Sequence, residues 1–156
     1  MADIVTPAKR SRMMAAIKGK NTKPEITIRK LLHAGGFRFR LHRKDLPGKP
    51  DIILPKYRVA IFVNGCFWHG HKNCKLFRLP KSRTEFWEGK ITSNITRDGQ
   101  KTDDLLALDW RVLLVWECAV KGTAKIAPET LTDLVTGFLY TEDPFAEIRG
   151  LASDQV

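Results

Sequence analysis

The run Arg58–Cys74, RVAIFVNGCFWHGHKNC, begins with a near-continuous apolar segment of strand length, Arg58 to Val63. Val, Ala, Ile and Phe at successive positions leave no polar face, which is the pattern of a central strand covered on both sides. Asn64-Gly65 ends the apolar run, and the chain enters a loop carrying Cys66, Cys74, His69, His71 and the pair Phe67-Trp68. Cysteine and histidine crowded in this way mark a metal or redox site. Adjacent aromatics in a glycine-punctuated loop have no obvious core to enter.

On the N-terminal side, Asp51-Ile52-Ile53-Leu54 reads as a second strand with a carboxylate at its mouth, set between the turn DLPGKP (Asp45–Pro50) and Pro55. Phe37, Phe39 and Leu41 alternate with Arg38, Arg40 and His42, predicting a half-buried strand. Upstream, Thr22 can cap a helix in which Pro24 needs no N–H partner and Glu25 complements the dipole. Ile28, Leu31 and Leu32 form its buried face, and Gly35-Gly36 stops it. Ala8 to Lys18 predicts a short basic helix, so residues 1–20 form a basic helical arm. On the C-terminal side, Trp87, Ile91 and Ile95 recur at i+4 and predict a helix from Thr84 to Gln100, with Asp98 one turn beyond Ile95. Gly99 is expected to interrupt it before helix resumes to Leu108. Arg111–Trp116, RVLLVW, is a third apolar strand that hands over to Glu117-Cys118. A helix near Pro128 to Tyr140 and an acidic, mobile tail over residues 141–156 close the chain. Helix between strands implies a crossover, so the expected fold is α/β, a mixed central sheet flanked by helices in a single domain of 156 residues.

The net charge is +10, and its distribution says more than its size. Residues 1–49 hold 13 Lys/Arg against three acids, while the remainder holds 14 against 14, so the whole excess is N-terminal. A basic arm of this kind favours a phosphate backbone as partner over an ordinary solvated face. No stretch approaches the roughly 18 consecutive apolar residues of a membrane span, and MADIVTPAKRSR lacks the apolar core of a secretory signal. A cytoplasmic protein, monomeric and without a membrane partner, is expected.

Three cysteines are too few and too uneven for a disulfide framework, which makes a thiolate metal site the better reading. A closed structural zinc site takes four N/S ligands in a tetrahedron, and Cys66, His71, Cys74 and Cys118 offer such a set. Cys118 at the end of one strand would tie the loop to the sheet. His69 could replace His71, since spacing alone does not separate them. The competing reading leaves the cysteines as buried hydrophobes and the histidines on the surface.

Pro50-Asp51 followed by a buried strand matches the layout of a metal-dependent nuclease of the PD-(D/E)xK type, in which an Asp at one strand end and groups on the neighbouring strand hold magnesium against a phosphate. The second half of that motif is missing: the neighbouring strand ends Phe62-Val63-Asn64 where Glu-x-Lys is expected. Yet RSRMMAAIKGKNTKPE, LPGKPDI, VAIFVNGCFWHGHKNC, KSRTEFWEGKITSNITRD and WRVLLVWEC occur in order from about Ser11 to Gly122. Together they resemble the very-short-patch repair (Vsr) endonucleases, a mismatch-repair family.

The resemblance implies a restriction-endonuclease-like nuclease domain that nicks one strand of double-stranded DNA on the 5′ side of the T in a T:G mismatch, the lesion left when 5-methylcytosine deaminates. It implies Asp51 and the backbone carbonyl of Val63 as magnesium ligands, His69 as general base, Asp98 as the carboxylate that orients it, and Glu25 as an acid supporting the metal waters. Two magnesium ions would flank the phosphate, and one structural zinc would sit on the Cys/His set. Asn64 stands where members often carry His or Asp; it neither exchanges a proton at neutral pH nor supplies charge, which leaves it a hydrogen bond to a phosphate or a metal-bound water. Phe67, Trp68 and Trp87 would form a major-groove wedge, with Met14 at the minor groove and Arg10, Arg12, Lys18 and Lys20 on phosphates. His33 and His42 lie outside every block with chemistry and read as surface residues. The alternatives are a restriction-type or homing endonuclease domain of the same fold and a non-catalytic, zinc-stapled DNA-binding module. A general mismatch-repair protein is a further partner compatible with the family.

Overall fold

The computed structural model of the protein describes residues 21–151. The expected basic helix, with Met14, Arg10, Arg12, Lys18 and Lys20, lies outside the described residues. Helix α1 (Lys23–Ala34) starts as the sequence predicts, with the Thr22 hydroxyl accepting the Glu25 N–H at 3.3 Å and proline in the first turn. Gly36, at φ +80°, takes the left-handed conformation that turns the chain away.

Five strands follow, β1 (Arg40–Leu41), β2 (Ile52–Leu54), β3 (Val59–Asn64), β4 (Arg111–Trp116) and β5 (Phe145–Ile148), joined in that spatial order. The pairs β1/β2 and β2/β3 are antiparallel, β3/β4 and β4/β5 parallel. Each parallel step needs a crossover. Helix α2 (Thr84–Ala107) supplies the first and α3 (Pro128–Leu139) the second.

The strands alternate between two cores with the period of a pleat. Ile52, Leu54, Val59, Ile61, Leu113 and Val115 pack with α1 and α3, against Ile28, Leu32, Leu131 and Val135. Ile53, Ala60, Phe62 and Val112 face the other way, against Leu105 of α2 and Trp110. The sheet is thus covered on both sides, as the apolar run of β3 predicts.

Three expectations are corrected. The alternating segment Phe37–His42 yields a strand of only two residues, because Leu41 at an edge is 39 % exposed and Phe37 and Phe39 pack as partly buried side chains without laddering. Gly99 does not interrupt α2, a single helix of 24 residues: a solvent-facing glycine costs a helix only about 1 kcal/mol, and the flanking turns carry it. The tail contains β5, which pairs Val112 with Phe145 and Val115 with Ile148. Its apolar residues are too few for periodicity to register.

Leu113 is fully buried on β4, an interior strand with a parallel neighbour on each side. Leu113→Ala should cost about 2–5 kcal/mol, read as a lower urea midpoint with an unchanged slope.

Candidate active site and metal centre

The ends of β3 and β4 and the mouth of β2 lie at the same end of the sheet, since β2 runs against β3. Three groups of side chains assemble there.

The first surrounds Asp51. Its carboxylate accepts the Val63 N–H at 2.8 Å, its own N–H reaches the Ile61 carbonyl at 3.1 Å, and its carbonyl accepts the His42 N–H at 3.1 Å. Glu25, 1 % exposed, closes the group: its carboxylate meets His42 Nε2 at 2.9 Å and forms an ion pair with Arg29 one turn along α1. Ligand atoms of Glu25, His42 and Asp51 lie within 4.8 Å of one another, close enough to share a cation. His42 is therefore no surface histidine, which corrects the sequence reading; His33 is exposed as expected. Burial pushes the Asp51 carboxyl up to about 7, against the pull of the Val63 N–H and the positive charges of Arg29 and Lys101.

The second group is an imidazole–carboxylate pair. His69 Nδ1 lies 2.5 Å from Asp98 Oδ2, and Lys101 Nζ stands 3.9 Å from the other carboxylate oxygen. The loop can approach α2 this closely because of Gly70. At φ +59°, any Cβ on it would stand 2.6 Å from Ile91 Cγ2 and 2.7 Å from Ile95 Cδ1. Ile91 and Ile95 thus pack against the loop at Gly70, while Asn94 between them donates to the Trp68 carbonyl at 2.9 Å. Phe67, Trp68 and Trp87 form one half-buried aromatic cluster, with ring centroids 5.2–5.8 Å apart, and Phe86 extends it into solvent. A cleft of about 650 Å³ runs past Val63, Asn64, Phe67, Trp68, His69 and Glu117.

The third group is the Cys/His set. Ligand atoms of Cys66, His71, Cys74 and Cys118 all lie within 4.8 Å of one another, and no disulfide joins the cysteines. His71 Nδ1 points at Cys66 Sγ, 3.4 Å away, and at Cys118 Sγ, 3.6 Å away, which separates it from His69 as the spacing could not. Trp116 stacks on His71 with centroids 3.8 Å apart and an interplanar angle of 4°. Burial, aided by Arg149, holds the His71 imidazole down at about 4, in the neutral form a metal requires. The thiol partner Cys66 holds Cys118 down at about 6 against burial, while the Cys66 thiol is pushed up by Cys118 and by burial. Three thiols and a neutral imidazole converging on one point fit a soft divalent metal.

Beyond the predicted residues, His42, Arg29, Asn94 and Glu117 brace the site. Only Glu117, a carboxylate directly after an apolar strand, left a signal; its Oε1 accepts the Cys66 N–H at 3.1 Å. Asn64 is buried at the end of β3.

Fold and site define an α/β protein whose sheet end gathers two sets of prospective metal ligands and an imidazole–carboxylate pair. Residues 2–76 match the family model described as DNA mismatch endonuclease Vsr. The DNA mismatch endonuclease Vsr of Escherichia coli strain K12 is 43 % identical over 148 residues, covering 95 % of this chain and 94 % of that protein. The type II nicking enzyme V.XorIIP of Xanthomonas oryzae pv. oryzae is 52 % identical over 118 residues, 76 % of this chain and 86 % of its own length. V.NmeAIP, a type II nicking enzyme of Neisseria meningitidis, is 47 % identical over 135 residues, 86 % and 95 % of the two chains. The chain belongs to the Vsr family of DNA mismatch endonucleases.

A carboxyl with a raised folded pKa stabilises the protein when protonated, fully below the unfolded value near 3.8, and loses that contribution as pH rises towards about 7. In magnesium-free buffer Asp51→Asn, which keeps an acceptor for the Val63 N–H, should raise stability at pH 8 by an amount on the order of a few kcal/mol and have little effect near pH 4. Thermal melts at the two pH values measure the difference.

Proposed function

We propose that this enzyme, acting as a single-domain monomer in the cytoplasm, nicks duplex DNA on the 5′ side of the T in a T:G mismatch by magnesium-dependent phosphodiester hydrolysis. The observation that carries the chemistry is the 2.5 Å contact between His69 Nδ1 and Asp98 Oδ2 beside a cleft that also meets Val63. With Nδ1 held by the carboxylate, Nε2 is the nitrogen left to take a proton from the attacking water. Asp98 fixes the ring and stabilises its positive charge once the proton has moved.

Asp51 and the Val63 carbonyl would hold magnesium, with Glu25 supporting its waters; in the PD-(D/E)xK manner the ions, two in this reading, neutralise the phosphate when bound. The ionised form of Asp51 is the one this role needs, and burial opposes it, so a cation and the ionised carboxylate stabilise each other. Asn64, without charge, is a hydrogen-bond donor to phosphate. Zinc at Cys66, His71, Cys74 and Cys118 would be structural, its closed ligand set leaving no position for substrate. It fastens the loop on which His69 rides.

The aromatic cluster suits a stack that is cheap to open. Phe67 and Trp68 line the cleft and lean on Trp87, so inserted between base pairs at a mismatch they would meet little resistance. The basic arm, with Met14, Arg10, Arg12, Lys18 and Lys20, would grip the duplex from the other side. A general mismatch-repair protein fits the pathway this reading implies.

Labelled duplexes with T:G, T:A or C:G at one position should be nicked with magnesium only at T:G, and not at all after EDTA. Equal cleavage of the three would sink the mismatch reading. Asp51→Ala should abolish nicking while retaining binding in a gel shift, which a mere DNA-binding module would not register. His69→Ala should lower the single-turnover rate by roughly 10²–10⁴-fold with binding intact.

A further inference from the structure

The last described residues, after the β4–β5 crossover, converge on the Cys/His set from three directions. Trp116 Nε1, whose ring stacks on His71, donates to Glu147 Oε1 at 3.2 Å. Arg149 donates from one guanidinium nitrogen to the Lys72 and Asn73 carbonyls, at 3.1 and 2.8 Å, within the loop between His71 and Cys74. The Gly150 N–H points at Cys118 Sγ from 3.2 Å. Glycine is required there: a Cβ would stand 2.5 Å from the Cys118 carbonyl and 2.7 Å from that of Ala124. The Leu151 N–H closes the strap on the Ala124 carbonyl at 2.7 Å.

We propose that Glu147, Arg149 and Gly150 are positioning residues of the metal centre: together they form the outer support that orients the imidazole of His71, the 72–73 turn and the sulfur of Cys118 for one metal ion. The inference rests on the reading of the Cys/His set as a metal site. It gives β5 a purpose that sheet pairing alone does not. An edge strand kept only for pairing would need no guanidinium on a neighbouring loop and no amide aimed at a sulfur. Metal ligands are held by such partners, whose removal lowers metal affinity by about 10–100-fold. An N–H directed at a thiolate also stabilises its charge.

The test is zinc affinity of the full-length protein, measured by competition with a chromophoric chelator, for the wild type, Arg149→Ala, Glu147→Ala and Glu147→Gln. Both alanine variants should bind zinc about 10-fold more weakly or worse, while Glu147→Gln, which keeps an acceptor for Trp116, stays within about threefold of the wild type. Cobalt substituted for zinc should show a shifted d–d spectrum in the alanine variants. Affinity within about twofold of the wild type for both alanine variants would overturn the proposal. If a variant is too unstable for the competition, melts with and without zinc decide: a smaller zinc-dependent rise supports support at the metal, and an equal drop in both melts refutes it. A wild type that takes up no zinc refutes the metal reading itself, and with it this one.

Discussion

Everything at this site hangs on the parallel pairing of β3 with β4. Val59 to Asn64 runs beside Arg111 to Trp116 in register, so both strands release their chains at the same end, Asn64 opposite Trp116. One chain continues into the Cys66 loop and the other into Glu117-Cys118. A ladder of backbone hydrogen bonds, with apolar side chains on both faces excluding water, therefore brings thiols 52 residues apart within ligand distance. Slipping the register by one residue would send Cys118 to the wrong level and turn each buried side chain to the opposite face.

The sheet end also solves an electrostatic difficulty. Glu25 and Asp51 are carboxylates buried near one another, an arrangement that isolated anions resist. The Arg29 guanidinium compensates Glu25, whose carboxylate also meets His42 Nε2 at 2.9 Å, and the Val63 N–H partly compensates Asp51. What is left uncompensated at Asp51 appears as its raised pKa. Ionisation of Asp51 is therefore opposed by its surroundings and would be favoured by added positive charge, which is the condition that the proposed magnesium role sets.

The sequence made the central strands legible because their apolar runs are long and unbroken, and the same holds for α1, whose cap, proline and glycines all agree. The Cys/His set was legible as residue types, but spacing left His71 and His69 interchangeable and only the family resemblance assigned them; the structure gives the physical ground, α2 placing Asp98 beside one and β4 placing Cys118 beside the other. His42 was unreadable for a related reason. It belongs to an alternating segment that barely ladders, and its partner Glu25 lies 17 residues away on a different element. Elements β1 and β5 were too short for periodicity, and β5 forms only because β4 offers an open edge. Long-range placement, not local pattern, decided each of these.

Adjacent residues in the loop reach points on α2 that are eleven positions apart: Trp68 packs on Trp87, while His69 meets Asp98. At 1.5 Å per residue those anchor points are separated by about 16 Å along an unbroken helix. Two side chains one peptide bond apart thus splay in opposite directions along one stiff rod. The peptide that joins them is itself held to the rod, its Trp68 carbonyl accepting from Asn94 between the two anchors, so the position of the imidazole and that of the aromatic rings are set through one shared peptide unit.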